Sequence, residues 1–489
     1  MKLAKLLRTL STIAFVFMLQ GLAFAQGVTT SSMQGKVIDN NNEALIGANV
    51  LAVHQPSGTV YGAATDLEGN YRIPGMRVGG PYKITVSYTG YGEVALENLF
   101  LRLGETSKQD FTLQESALEL ATIQVTATAG VAGQNAGAST QITSGDIDVM
   151  PTLNRDIDDY LRLTPQGSAY GDGISFAGMN NRYNAIYIDG AVNNDVFGLA
   201  SSGTNGGQTG ISPFSIDIID QLQVVLSPYD VTLGGFAGGG VNAVTKSGTN
   251  KFQGTAYYFF QNENLAGKTN GVLAERLNID RAKLAEFNQS TYGLSLGGPI
   301  VKDKVFFFAN AEIQDDETPA PFELQQYNGN TKSEADLNNL RNFLINTYNY
   351  DPGTFGDVAD ELKGLKLFGK IDINLNQNHR LTLRHQYTRA EQYDRFAGSS
   401  NTINFSNNGI YFPSITNSSA LELNSRFGDK FSNNLILGFT TVRDDRDAIG
   451  SDFPYVFIED GGSNVLRFGT EEFSTANALD QDIFTITDN

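Results

Sequence analysis

Three places in the sequence gather residue types that could do chemistry. Gly238, Gly240 and Ala243 have the relaxed G-x-G-x-x-A spacing with which backbone N–H groups cradle a phosphate. Such a cradle needs a helix N-terminus behind it, whereas Val-Asn-Ala-Val-Thr at 241–245 reads as a strand. Gly293-Leu-Ser295-Leu-Gly297 matches the G-x-S-x-G nucleophile elbow, which demands a strand-to-helix turn. Residues 292–299 instead run as a strand into a Pro-marked turn, so Ser295 is expected to be an ordinary strand residue. Arg443-Asp-Asp-Arg-Asp447 could hold calcium, but it lacks the Gly and the terminal Glu of an EF-hand loop, and its own arginines can neutralise it. The histidines are His54, His379 and His385, and none begins an HxxE or HExxH zinc pattern. With no cysteine, thiolate zinc sites and cysteine nucleophiles are excluded. The expectation is a protein that is not an enzyme and has no cofactor or metal.

Lys2, Lys5 and Arg8 precede an apolar run over 9–22, and small residues Ala23 and Ala25 flank Phe24. These are the three parts of an export signal, with cleavage expected after Ala25 to leave Gln26 first. The run is shorter than the about 20 apolar residues of a bilayer-spanning helix, and no later stretch approaches that length, so any membrane span must be made of strands. Without the three basic signal residues the chain has 31 basic and 53 acidic residues, a net charge of −22. This argues against nucleic acid, whose phosphates attract basic surfaces, and fits solvated acidic loops or a cation-collecting surface. An exported chain without disulfides must be held by hydrogen-bonded sheet and core.

The elements that would position such residues are mostly strands. Residues 33–114 contain short alternating segments at 34–39, 48–53, 61–65, 71–73, 82–88 and 108–113, separated by turn residues, which predicts an antiparallel sandwich. Gly35-Lys-Val-Ile-Asp39, Leu45-Ile-Gly-Ala-Asn-Val50, Thr65-Asp-Leu-Glu-Gly-Asn-Tyr71 and Ser87-Tyr-Thr-Gly-Tyr-Gly92 resemble the carboxypeptidase regulatory-like domain. The resemblance implies a transthyretin-like or prealbumin-like sandwich without catalytic residues, placed in the periplasm.

A β-prone stretch over 118–129 and a Gly/Ala/Gln/Asn-rich one over 130–139 follow, as an extended tether requires. Thr122, Ile123, Gln124, Val125, Thr126 and Ala127 look like a TonB box, although Val/Thr-rich segments are also ordinary strands. Residues 139–250 then carry the motifs Pro151-Thr-Leu-Asn-Arg-Asp156, Tyr160-Leu-Arg-Leu-Thr-Pro165, Asn181-Arg-Tyr-Asn-Ala-Ile-Tyr-Ile-Asp-Gly190, Ile216-Asp-Ile-Ile-Asp-Gln-Leu-Gln-Val224 and a Gly-rich run over 228–250. Together they resemble the plug of TonB-dependent receptors, in detail the Oar-like subgroup. The positions singled out are Arg182, Asp189, Gly190, Tyr229, Asp230, Gly234, Gly235, Gly238, Gly239, Gly240 and Asn242. Residues 154–163 can make a short helix, 185–188 and 221–226 are buried-strand candidates, and the glycines permit positive φ and close backbone approach.

From Phe252 the pattern changes. Leu365, Leu367, Gly369, Ile371, Ile373 and Leu375 lie on one face of an alternating segment, with Lys366, Phe368, Lys370, Asp372, Asn374 and Asn376 on the other. A strand between lipid and a polar lumen gives this pattern, and so does a soluble antiparallel sheet. Eight strand candidates occur: 252–262, 291–298, 305–313, 365–376, 381–388, 420–428, 435–442 and 483 onward. Short polar turns alternate with polar stretches over 263–290, 314–364, 391–418 and 444–482, which favours an outer-membrane barrel. Plugged barrels have about 22 strands, so eight would stop partway round the wall, and a fragment is expected.

The reading is therefore an all-β-dominated chain: signal peptide 1–25, sandwich 26–116, TonB-box and linker region 117–138, mixed α/β plug 139–250, and the N-terminal part of a large transmembrane antiparallel β-barrel over 251–489. The resemblance implies import of an extracellular ligand across the Gram-negative outer membrane. The partners implied are TonB with the inner-membrane proton-motive-force complex, outer-membrane lipid, a siderophore, glycan or peptide, and a surface lipoprotein. Export, adhesion or surface organisation is the alternative role.

Overall fold

The computed structural model describes residues 27–115, 123–126, 137–152, 154–168, 173–228, 235–277, 280–428, 431–473 and 477–489. The signal segment with Ala25 and Gln26, and the positions Thr122, Ala127, Tyr229, Asp230 and Gly234, lie outside the described residues.

The first unit is a two-sheet sandwich. In one sheet Ser31–Asp39 pairs antiparallel with Asn70–Met76 and parallel with Thr106–Lys108 and Phe111–Leu113. The other has the order Thr59–Ala64, Asn49–His54, Gly79–Ser87, Val94–Leu101, Ile123–Thr126. Alternation explains the packing: Val50 and Ala52 point inward while Asn49 and Leu51 face out, and the inward sets meet as one core with Met33, Val37, Ile73, Tyr82 and Ile84.

The plug is built on a mixed five-stranded sheet, ordered Gly137–Thr143, Ile219–Pro228, Gly240–Thr245, Ala185–Ile188, Ala191–Val192. Every residue of Ala185–Ile188 and of Gly240–Thr245 is buried, which is why Ala185–Ile188 reads as a continuous apolar run instead of an alternating one, while the polar Asn242 and Thr245 of the second strand are hydrogen-bonded within the plug. Ile142, Ile157, Tyr160, Phe176, Leu222 and Val241 form its core, joined by Phe308 and Phe368 from the wall. The helix expected over 154–163 is confined to Ile157–Leu161, capped by the Asp156 carboxylate accepting from the Asp159 N–H. Arg155 has φ +53°, a left-handed conformation that a right-handed helix cannot include.

The wall is a continuous antiparallel sheet of eight strands: Gln253–Asn262, Asn288–Val301, Val305–Ala320, Val358–Asn374, His379–Arg395, Gly409–Phe427, Phe431–Ala448 and Asn477–Asp488. All eight candidate segments are there. Along Val358–Asn374 the burial is inverted relative to a water-soluble sheet: Lys370 is 5% exposed and Asp372 2%, while Leu367 is 41% exposed and Ile371 39%. Leu294, Leu296, Phe439, Phe484 and Ile486 are likewise exposed, and Ser295, Thr440 and Gln481 are buried. Apolar outside and polar inside is the arrangement that hydrocarbon requires of a strand. No helix among the described residues is long and apolar enough to cross a membrane.

The long polar stretches are shorter than expected and are folded. Val305–Ala320 and Val358–Asn374 stay paired out to Ala320 with Val358, because the ladder is made by main-chain groups and continues where the side chains are polar. Beyond the strands, the helix Glu334–Tyr348 and a sheet of Thr402–Asn404, Val465–Phe468 and Val456–Glu459 enclose Tyr327, Leu337, Tyr350, Phe405 and Leu466. Tyr350 stacks on Phe453 at 4.1 Å, so this aromatic packs the loop unit, and Tyr393 packs against Tyr411 at 4.7 Å.

Candidate functional site: the plug held by the wall and capped by the sandwich

Asp189 ends the buried strand Ala185–Ile188 in a tight turn, with φ +45° followed by Gly190 at +74°. A Cβ on Gly190 would lie 2.3 Å from Ile436 Cδ1 of the wall, so glycine is required by both the turn and the close approach. The turn aims the Asp189 carboxylate at the wall. One oxygen accepts from the Thr245 N–H at 2.9 Å and the other from the Thr245 hydroxyl at 2.7 Å. Two wall cations complete its shell, Lys370 Nζ at 3.4 Å and Arg384 Nε at 3.4 Å. Lys370 also donates to the Thr245 carbonyl at 3.0 Å, and Arg384 to the Ile188 carbonyl at 2.8 Å. Charges this deeply buried are tolerable only when paired and hydrogen-bonded, and here each half of the pairing sits on a different structural unit.

A second polar contact runs the other way. The wall carboxylate of Glu312 accepts from Lys366 at 2.8 Å, from the plug hydroxyl of Ser215 at 2.6 Å and from Tyr257 at 2.6 Å. Gln386 donates to the plug carbonyl of Pro213 at 2.6 Å, and Gln208 of the plug donates to Asp444 at 2.8 Å. Hydrogen bonds therefore carry much of the plug–wall contact, an arrangement that permits separation more readily than an apolar core, since both faces can be hydrated when parted.

The sandwich closes the short-turn end. It holds the plug through Leu103, whose N–H donates to Gln221 Oε1 at 2.8 Å and whose carbonyl accepts from Gln141 Nε2 at 2.6 Å. It holds the wall through Arg77 with Asp372 at 3.5 Å, Arg426 with the Gly62 carbonyl at 2.9 Å, and Asn374 with Thr59 at 3.1 Å. Burial, then the nearby Arg77 and Arg380, push the His54 pKa down to about 3, so this imidazole at the junction is neutral. In the plug, burial and then Asp156 and Asp159 push Asp158 up to about 7.

The motif positions divide by role. Gly235 has φ +79°, whereas Gly238, Gly239 and Gly240 have no positive φ and serve close approach: Cβ atoms there would lie 2.3 Å from Asn184 Oδ1, 2.5 Å from Phe176 Cδ2 and 2.6 Å from Phe236 Cε1. Asn242 donates to Gln223 at 3.3 Å within the sheet. Arg182 is exposed on the 3-10 turn Asn181–Tyr183 and takes no part in the Asp189 cluster. Ser295 lies in the middle of Asn288–Val301, hydrogen-bonded to Thr255 at 2.6 Å, and no nucleophile elbow forms. Likewise Gly240–Thr245 is a strand where a phosphate loop needs a helix. Sequence reasoning missed Lys370, Arg384, Glu312 and Ser215 as partners. The available signal was basic residues, Lys366 and Lys370, on the polar face of a strand whose other face is apolar.

Comparison with known proteins agrees with this order of units. Residues 32–114 match the carboxypeptidase regulatory-like domain, residues 132–241 the TonB-dependent receptor plug domain, and residues 244–357 an outer membrane beta barrel domain. The fold and this order of units are similar to those of TonB-dependent outer-membrane receptors. The chain is similar to the TonB-dependent transporter Oar of Myxococcus xanthus, 25% identical over 404 residues covering 78% of this chain and 35% of Oar. Among solved structures it shares the fold of the outer membrane transporter YddB from Escherichia coli, at a TM-score of 0.50 and 16% identity, covering 72% of this chain and 45% of that one. The chain thus spans about a third of the length of Oar and under half that of YddB.

Proposed function

We propose that the chain supplies the periplasmic sandwich, the plug and a sector of the wall of a transporter that imports an extracellular siderophore, glycan or peptide with energy coupled through TonB. The observation that carries this reading is the Asp189 cluster: a plug carboxylate held by wall Lys370 and Arg384 is a closure that can be opened and remade without covalent change. The TonB box is assigned to Thr122, Ile123, Gln124, Val125, Thr126 and Ala127, between sandwich and plug. A strand offered through main-chain hydrogen bonds can transmit a pull whatever its side chains, which suits this plain segment. In this reading TonB draws on the linker, the plug contacts to Glu312, Lys370 and Arg384 part, and the ligand passes. Deleting 122–127 in the full-length protein is expected to abolish uptake while ligand binding at the cell surface persists. Uptake at the unmodified rate in that deletion refutes the assignment.

A further inference from the structure

We propose that the sandwich edge formed by Val94, Ala95, Leu96 and Glu97 is a docking surface for the strand Ile123–Thr126, so that TonB must win this peptide from the receptor's own sandwich before it can pull. The inference rests on reading 122–127 as the TonB box.

Three observations carry it. The five-stranded sheet of the sandwich has two edges. That of Thr59–Ala64 is held against the wall, where Arg426 donates to the Gly62 carbonyl, Asn374 to the Thr59 hydroxyl and Arg380 to the Tyr61 hydroxyl. The other edge, Val94–Leu101, would present unpaired main-chain groups, a template for any extended segment. Ile123–Thr126 fills it in parallel register, Ile123 opposite Val94 and Thr126 opposite Glu97.

The dock also has a defined length. Asn98 follows the last paired residue with φ +62°, and the register on the opposite side of the strand shifts between Tyr82 and Ile84. The backbone kinks there as at a bulge, so the straight edge ends at Glu97 and offers four residues. A ladder this short is held by a few main-chain hydrogen bonds of small net worth, and parallel pairing is the weaker kind.

Connectivity then sets the competition. Seven residues separate Glu115 from Ile123, and ten separate Thr126 from Gly137. A tether that short gives the peptide an effective concentration at its own edge on the order of millimolar. A partner strand in solution must exceed that, and the ladder it would form uses the same main-chain groups. Once the peptide has been taken, tension passes next to Gly137–Thr143, which is the edge strand of the plug sheet and pairs only with Ile219–Pro228 among the described residues.

The test uses the full-length receptor in detergent with Glu97→Cys and Thr126→Cys together, and the purified C-terminal domain of TonB as the probe. Oxidation is expected to close the pair and to weaken binding of the TonB domain at least tenfold, with recovery when the same sample is reduced. Either single-cysteine variant should bind independently of redox state. The dock is overturned if the pair stays open while a control pair, Thr59→Cys with Asn374→Cys, closes under the same oxidant. It is also overturned if the closed protein binds the TonB domain as the reduced one does. A synthetic peptide of residues 119–130 separates the layers: if it binds the TonB domain while either of those results holds, only the dock fails; if it does not bind, the TonB-box reading fails and takes the dock with it.

Discussion

At the scale of single residues, the behaviour of the plug is concentrated in Asp189. Its carboxylate is the counter-charge for Lys370 and Arg384, which are buried with it. Asp189→Asn keeps the shape and removes the charge, leaving buried Lys370 and Arg384 without the carboxylate that each contacts within 4 Å. Breaking a buried pair in this way costs roughly 3–5 kcal/mol. The expected outcome is a correctly inserted wall whose plug opens to protease at lower urea than in the parent, and an unchanged urea midpoint would contradict the clamp. Asp158 gives a pH dependence. Its folded pKa, about 7, lies above the usual carboxylate value, so protonation favours the folded plug. That contribution is complete below about pH 4, the unfolded value, and is lost as pH rises through about 7. Hydrogen exchange of the Ile157–Leu161 amides should therefore quicken from pH 5 to 8 beyond the intrinsic pH effect, and Asp158→Asn should remove the excess. The clamp was only half legible in the sequence. Asp189 and Gly190 stand in a motif, but the cations that answer them are 181 and 195 residues away, and no local pattern announces which strand faces a plug turn.

At the scale of elements, strand type was legible wherever one face is apolar, because a period of two is set by the pleat itself. The segment 365–376 showed both its faces, and the structure turns them as a bilayer demands. Strand ends were less legible: Val305–Ala320 runs seven residues past Ile313, since main-chain pairing outlasts the hydrophobic signal. The folded loop unit escaped notice for a related reason, its core being assembled from Tyr327, Leu337, Phe405 and Leu466, which lie in three separate loops. The two faces of one strand also make a prediction. Leu367→Arg puts a charge in hydrocarbon, at a cost of about 2–4 kcal/mol near the bilayer midplane. A marked loss of heat-modifiable, membrane-inserted protein on gels is expected. Leu367→Phe, apolar and on the same face, should insert like the parent.

At the scale of the whole molecule, the sandwich, plug and wall form a chain of contacts in which each unit covers a surface the others leave open. The sandwich meets the plug through Leu103 with Gln141 and Gln221, and meets the wall through Arg77 with Asp372. The plug in turn supplies hydrogen-bond partners to Glu312, Lys370, Arg384, Gln386 and Asp444 on the polar inner face of the wall. All of this depends on hydrocarbon outside and plug inside, and site-directed spin labelling tests that most directly. Single cysteines at 365 through 373 of the full-length protein, labelled in lipid bilayers, should show collision with oxygen at Leu365, Leu367, Gly369, Ile371 and Ile373. Labels at Lys366, Phe368, Lys370 and Asp372 should be shielded from it, giving a period of two along the strand. Equal access of a water-soluble nickel chelate to Leu367 and Ile371 would mean that this face meets water, and the account would be wrong.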